Sequence, residues 1–143
     1  MRQRGTSKDE RGFTLVELLI VMIVIGVLAA IAIPVFLSQR AKAHDSSTKA
    51  DVNTVGKEIA TYFVDGTGAL SLDFTATPGS VVIADGASFS TTVNLTNGTA
   101  RPTSGVSAGL NDPDTWCVAL TDPEGAVKEF KYSAAGGLEE GTC

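Results

Sequence analysis

The chain has 143 residues, 43% hydrophobic and 19% charged, with 11 Lys and Arg against 16 Asp and Glu for a formal net charge of −5. That acidic balance excludes a general nucleic-acid binder, whose footprint would be basic. A single His and two Cys offer no second C-x-x-C for a zinc module, and so short a chain has little protein with which to bury a long helix that is apolar on every face.

Such a helix is nevertheless what the N-terminal part of the chain encodes. The stretch Met1 to Gly12 is polar and basic, and it gives way to the run Phe13 to Leu37, whose only charge is Glu17. From Leu18 to Leu37 there are 20 uncharged residues, the length a helix needs to cross a bilayer core about 30 Å thick. Leu, Ile, Val and Ala occupy every face of it, so an amphipathic stripe against a soluble core does not explain the pattern. The competing reading is an ordinary secretory signal: Arg2, Arg4, Lys8 and Arg11 form a basic n-region, and Ala30-Ile31-Ala32 resembles a cleavage site that would leave Ile33 first. Glu17 at the start of the apolar run and Pro34 just beyond the cut argue against it. Four basic residues precede the span and Arg40 and Lys42 follow it, which favours a cytoplasmic N-terminus and places everything after Leu37 outside.

The junction reads Gly12-Phe13-Thr14-Leu15-Val16-Glu17-Leu18-Leu19-Ile20. It closely resembles the class III signal of type IV prepilins and the related pseudopilins of type II secretion. The resemblance runs from Gly12 to about Asp65 and implies a sequence of events. A membrane-embedded prepilin peptidase would cut after Gly12 and N-methylate Phe13, and an assembly platform with its ATPase would add the subunit to a helical filament of identical copies. Removing residues 1–12 takes away four basic and two acidic side chains, moving the net charge from −5 to −7.

Glu17 then acquires a role on physical grounds. A charged residue at the bilayer centre costs about 2.5–3.5 kcal/mol on insertion scales and calls for a partner. Cleavage creates a cation at the amino group of Phe13, and methylation keeps that charge. An incoming subunit can place its amine beside the Glu17 of a neighbour, relieving a buried charge on both chains. Glu17 is therefore expected to set the register of assembly, and the family resemblance implies that a chain with this carboxylate is a repeating subunit rather than a tip-initiating one.

Beyond the span, Ala41, Thr48, Val52, Val55, Ile59 and Tyr62 recur at three- and four-residue intervals, with Lys42, Asp45, Lys49, Asp51, Lys57 and Glu58 on other faces. This predicts that one helix continues to Asp65, with Gly66 as C-cap, about 80 Å in all. Gly26 and Pro34 carry its weakest propensities; a kink near Ala30 is expected, and the family resemblance implies that this stretch can lose helical order within a filament.

From Ala69 the pattern becomes short β-prone pieces, predicted as strands near 71–75, 81–84, 89–95, 116–120 and 127–132. Turns fall at Thr77-Pro78-Gly79, Asp85-Gly86, Asn97-Gly98 and Asp122-Pro123-Glu124-Gly125. Residues 100–111 read as a surface loop, and the tail from Gly136 returns to the Cys117 strand. Cys117 and Cys143, both placed outside the cytoplasm, are expected to form a disulfide rather than a metal site.

Other signals are weaker. Asp112, Asp114, Asp122 and Glu124 lack the alternating oxygen spacing of a calcium loop, and turn capping accounts for them. Asn94-Leu95-Thr96 and Asn97-Gly98-Thr99 match a short glycosylation pattern that solvated turns also produce. His44 is expected to be a solvated helix residue. No catalytic constellation, metal site or cofactor motif is recognised.

The sequence thus predicts an α+β chain of the type IV pilin fold. It divides into a leader at 1–12, a transmembrane and assembly half-helix at 13–37, an amphipathic half-helix at 38–65 and a β-sheet domain at 66–143. The expected function is that of a structural, non-enzymatic filament subunit, held first in the cytoplasmic membrane and then displayed in a surface pilus for adhesion, twitching or DNA uptake. A type II secretion pseudopilin and a secreted binding domain are the alternatives.

Overall fold

The computed structural model describes residues 12–100 and 106–143. The basic residues of the leader, Arg2 to Arg11, and residues 101–105 of the expected loop lie outside them. The chain divides into two units, 1–37 and 38–143.

A single helix, α1, covers Leu15–Asp65, continuous through Gly26 and Pro34. It begins two residues later than Phe13 because Thr14 caps it. Within the first unit the apolar run is exposed from Phe13 to Leu37, apart from half-buried Ala29, and it is long and apolar enough to cross a membrane.

In the second unit the rest of α1 packs against two antiparallel sheets, where the sequence predicted one. β1 (Ser71–Asp73), β2 (Ser80–Ala84) and β3 (Ser90–Asn94) form the first, in that order. β4 (Ser107–Ala108), β5 (Cys117–Thr121), β6 (Glu129–Ser133) and β7 (Gly137–Glu140) form the second. The strong hairpin pairs Val118 with Tyr132 and Leu120 with Phe130. Two short strands were not foreseen. β4 lies inside the expected loop, whose first residue, Ala100, also bridges to Thr121. β7 is formed by the Gly-rich tail, which pairs with β6 rather than with the Cys117 strand.

One core joins the layers. Val52, Val55, Ile59 and Tyr62 of α1 meet Leu70, Val81, Ile83 and Val93 on one side and Trp116, Val118, Leu120 and Phe130 on the other. Full burial of each aliphatic or Phe side chain contributes about 1.5–3 kcal/mol. The period-2 alternation of β5 sends Val118 and Leu120 to this core and Cys117 and Ala119 to the opposite face. There Cys143 closes the expected disulfide with Cys117, at a Cα separation of 5.9 Å, so the tail is stapled back across the strand it does not pair with.

Two glycines are placed by contact. A Cβ on Gly56 would lie 2.5 Å from the Tyr132 ring, so α1 approaches β6 more closely there than any other residue allows. Gly66 ends α1 in a related way. Its N–H donates to the Tyr62 carbonyl (2.7 Å), but its φ is not left-handed; what requires a glycine is the Tyr62 ring, 2.5 Å from where a Cβ would be.

Candidate functional site

The junction expected to be processed, Gly12-Phe13, stands in the open. A Cβ on Gly12 would meet nothing within 4 Å, and Phe13 is 91% exposed, so the peptide bond between them is sterically accessible to a protease. Immediately after it, Thr14 and Glu17 form a reciprocal capping box. The Thr14 hydroxyl accepts from the Glu17 N–H (3.2 Å), while Glu17 Oε2 accepts from the Thr14 N–H (2.8 Å) and hydroxyl (2.9 Å). Two of the amides that a helix start leaves unpaired are thereby satisfied, and the carboxylate sits where the helix dipole is positive. The Thr-x-x-Glu spacing at 14–17 is a capping signature visible in the sequence, and it adds a second role to Glu17. In the uncut chain the Phe13 nitrogen is a peptide nitrogen, so the cation expected to meet Glu17 arises only on cleavage.

The second unit holds a polar seam that the sequence did not reveal. Asp45 and Asp51 were expected on solvent-facing sides of α1, yet both are only 8% exposed. Asp51 accepts from the Thr96 N–H (2.7 Å) and hydroxyl (3.0 Å), and Asp45 from the N–H groups of Val127 (3.1 Å) and Lys128 (3.4 Å). Carboxylates can be buried on a helix stripe when backbone amides of facing loops satisfy them. The clue lay in their positions, three residues either side of Thr48 on the packed face. His44 likewise departs from the solvated residue expected. Its side chain is 20% exposed, with Nδ1 2.8 Å from Oδ2 of fully buried Asp122.

Three of the aspartates, Asp85, Asp112 and Asp122, also serve the backbone. Asp112 caps the Asp114 N–H (2.9 Å), and Asp122 Oδ1 caps that of Glu124 (2.9 Å). Asp85 accepts at Oδ1 from the N–H groups of Ala87, Ser88 and Phe89, which hold its carboxyl below the ordinary carboxylate range, the Ala87 bond contributing most. Asn97 and Gly98 form the turn after β3, where the Thr99 N–H donates to the Thr96 carbonyl (2.9 Å).

Comparison with known proteins follows the same boundary. Residues 7–33 match the family model described as the prokaryotic N-terminal methylation motif, which contains Gly12, Phe13, Glu17 and Gly26. The type IV major pilin protein PilA of Myxococcus xanthus is 40% identical over 63 residues, 44% of this chain and 29% of that protein. A type IV major fimbrial protein FimA of Dichelobacter nodosus is 37% identical over 89 residues, 54% and 57% of the two chains. The type II secretion system core protein G of Escherichia coli is 34% identical over 62 residues, 43% and 42% of the two. The chain thus spans roughly a third to a half of the length of the relatives it matches. No solved structure matches it. The resemblance to type IV prepilins and type II secretion pseudopilins is borne out by these matches, and the helix-on-sheet α+β architecture agrees with the pilin fold.

Proposed function

We propose that this chain is the precursor of a major structural subunit of a type IV pilus. On this reading a prepilin peptidase cuts between Gly12 and Phe13 and methylates Phe13, the apolar half-helix holds the subunit in the cytoplasmic membrane, and an assembly platform with its ATPase transfers it into a surface filament. The observation that carries the reading is the coincidence of an exposed Gly12-Phe13 bond, a capped helix start with Glu17, and an all-round exposed apolar helix within one methylation-motif match. The helix stacks in lipid before assembly and against copies of itself afterwards, with Glu17 accepting a neighbour's Phe13 amine. Loss of helical order between Gly26 and Pro34 belongs to the filament state, since the free chain is helical there. The protein's work is assembly rather than catalysis.

The intact mass of the chain recovered from cell-surface filaments tests this. A chain beginning at Phe13 with one added methyl group is expected; one beginning at Ile33 would overturn the reading in favour of a secreted domain. The matches to core protein G support a second reading, a pseudopilin of type II secretion. Under that reading, deleting the chain abolishes export of folded proteins and leaves surface pili intact.

A further inference from the structure

We infer that His44 is a two-armed tie between α1 and the turn joining β5 to β6, whose neutral ring keeps the buried Asp122 rather than Glu124. Its two ring nitrogens face two different carboxylates, Nδ1 at 2.8 Å from Asp122 Oδ2 and Nε2 at 3.2 Å from Glu124 Oε2. An ionised carboxylate only accepts hydrogen bonds, and a neutral imidazole has one N–H to give. Both arms are therefore made at once only by the imidazolium.

The two arms differ in what happens when the proton leaves. Asp122 is fully buried and has no route to water, so its arm must keep the remaining N–H. Glu124 is 56% exposed and already holds Arg40 Nη2 at 2.7 Å on the same oxygen, so it has an alternative partner. Deprotonation thus leaves His44 with its hydrogen on Nδ1, bound to Asp122, and releases Glu124 to Arg40. The other carboxylate near the ring, Asp45 one residue along α1, is occupied by the amides of Val127 and Lys128. Thr96 and Asn97, which line an open cavity of about 210 Å³ with Arg40, Ala43, His44 and Ser47, add no charge. Arg40, which shares the Glu124 oxygen with Nε2, is the cation beside the ring, and among the described residues no further carboxylate forms an ion pair with it.

This arrangement is independent of whether the chain builds a pilus or a pseudopilus.

His44 is the single histidine of the chain. Full-length protein in detergent micelles, labelled with [15N]histidine and carrying a histidine-free affinity tag, therefore gives one imidazole. In the neutral ring the hydrogen should sit on Nδ1, the reverse of the tautomer preferred by free histidine in water. An Nε2–H tautomer of the neutral ring would overturn the inference. Glu124→Gln leaves the buried Asp122 arm in place and should keep the Nδ1–H tautomer; a switch to Nε2–H in that variant would equally sink it.

Discussion

Replacing Gly56 with Ala puts two opposed effects on one atom. Inside a helix, Ala is favoured over Gly by about 1 kcal/mol. The new Cβ, however, would lie 2.5 Å from Tyr132 Cγ, 2.6 Å from Cδ1 and 2.8 Å from its Cβ. These atoms are close to the β6 backbone and cannot swing aside like the end of a long side chain, and Tyr132 is further held by stacking on Trp116 at 5.8 Å between ring centroids. Overpacking of this kind costs about 1–3 kcal/mol, so a net loss of about 1 kcal/mol is expected, or about 5 °C in Tm for a unit of this size. Thermal unfolding of the full chain in detergent, followed by the single Trp, measures it. The decisive control is Tyr132→Ala. In that background the ring contacts at 2.5 and 2.6 Å are gone and only the residual Cβ contact at 2.8 Å opposes helix propensity, so Gly56→Ala should be less costly by about 1 kcal/mol than in the wild type. A Gly56→Ala change that stabilises the wild-type background, or the same ΔΔG in both backgrounds, would refute the close approach of α1 to β6.

Three further outcomes are expected. Filaments sheared from cells whose only copy carries Glu17→Ala should contain about thirty-fold less subunit, taking about 2 kcal/mol for the lost pairing; undiminished yield would remove Glu17 from assembly. Reducing the Cys117–Cys143 disulfide, which closes a 26-residue separation, should cost about 3.5 kcal/mol in the chain-entropy model, read as a lowered urea midpoint in dithiothreitol that a Cys117→Ser, Cys143→Ser double variant no longer shows. The Asp85 carboxyl is held below its ordinary range chiefly by the Ala87 N–H, so its contribution is present above the unfolded carboxylate range and lost as pH falls through the folded value. Asp85→Asn should flatten the acid limb of the stability curve, and an unchanged limb would count against the three amide bonds.

What could be read from the sequence was whatever repeats along one dimension. The apolar run 18–37 and the stripe Thr48, Val52, Val55, Ile59, Tyr62 follow from helix period alone, and the hairpin around Asp122-Pro123-Glu124-Gly125 from alternation and turn residues. Asp45 and Asp51 escaped because a carboxylate on an amphipathic helix ordinarily points to water, and only the amides of Thr96, Val127 and Lys128, distant in sequence, reverse that expectation. The split into two sheets, the two-residue β4 and the tail strand β7 depend on pairings between segments whose own patterning is weak. At the expected processing junction the reverse holds: Gly12, Phe13, Thr14 and Glu17 are neighbours in sequence, so the candidate site could be proposed from adjacency alone, and the capping box was present in the spacing.

The turn between β5 and β6 contains Lys128, at φ 75° the sole non-glycine residue with positive φ among the described residues, and its N–H faces Asp45 of α1. Holding such a residue in the left-handed region costs about 1–3 kcal/mol, and two sets of bonds hold it there. Its carbonyl accepts from the Asp122 N–H (2.8 Å) and the Thr121 hydroxyl (2.9 Å) within the hairpin, while its N–H donates to Asp45 of α1. One strained residue thus fastens the turn to its own strand on one side and to the helix on the other, so the hairpin's closure and its seat on α1 share a single backbone conformation.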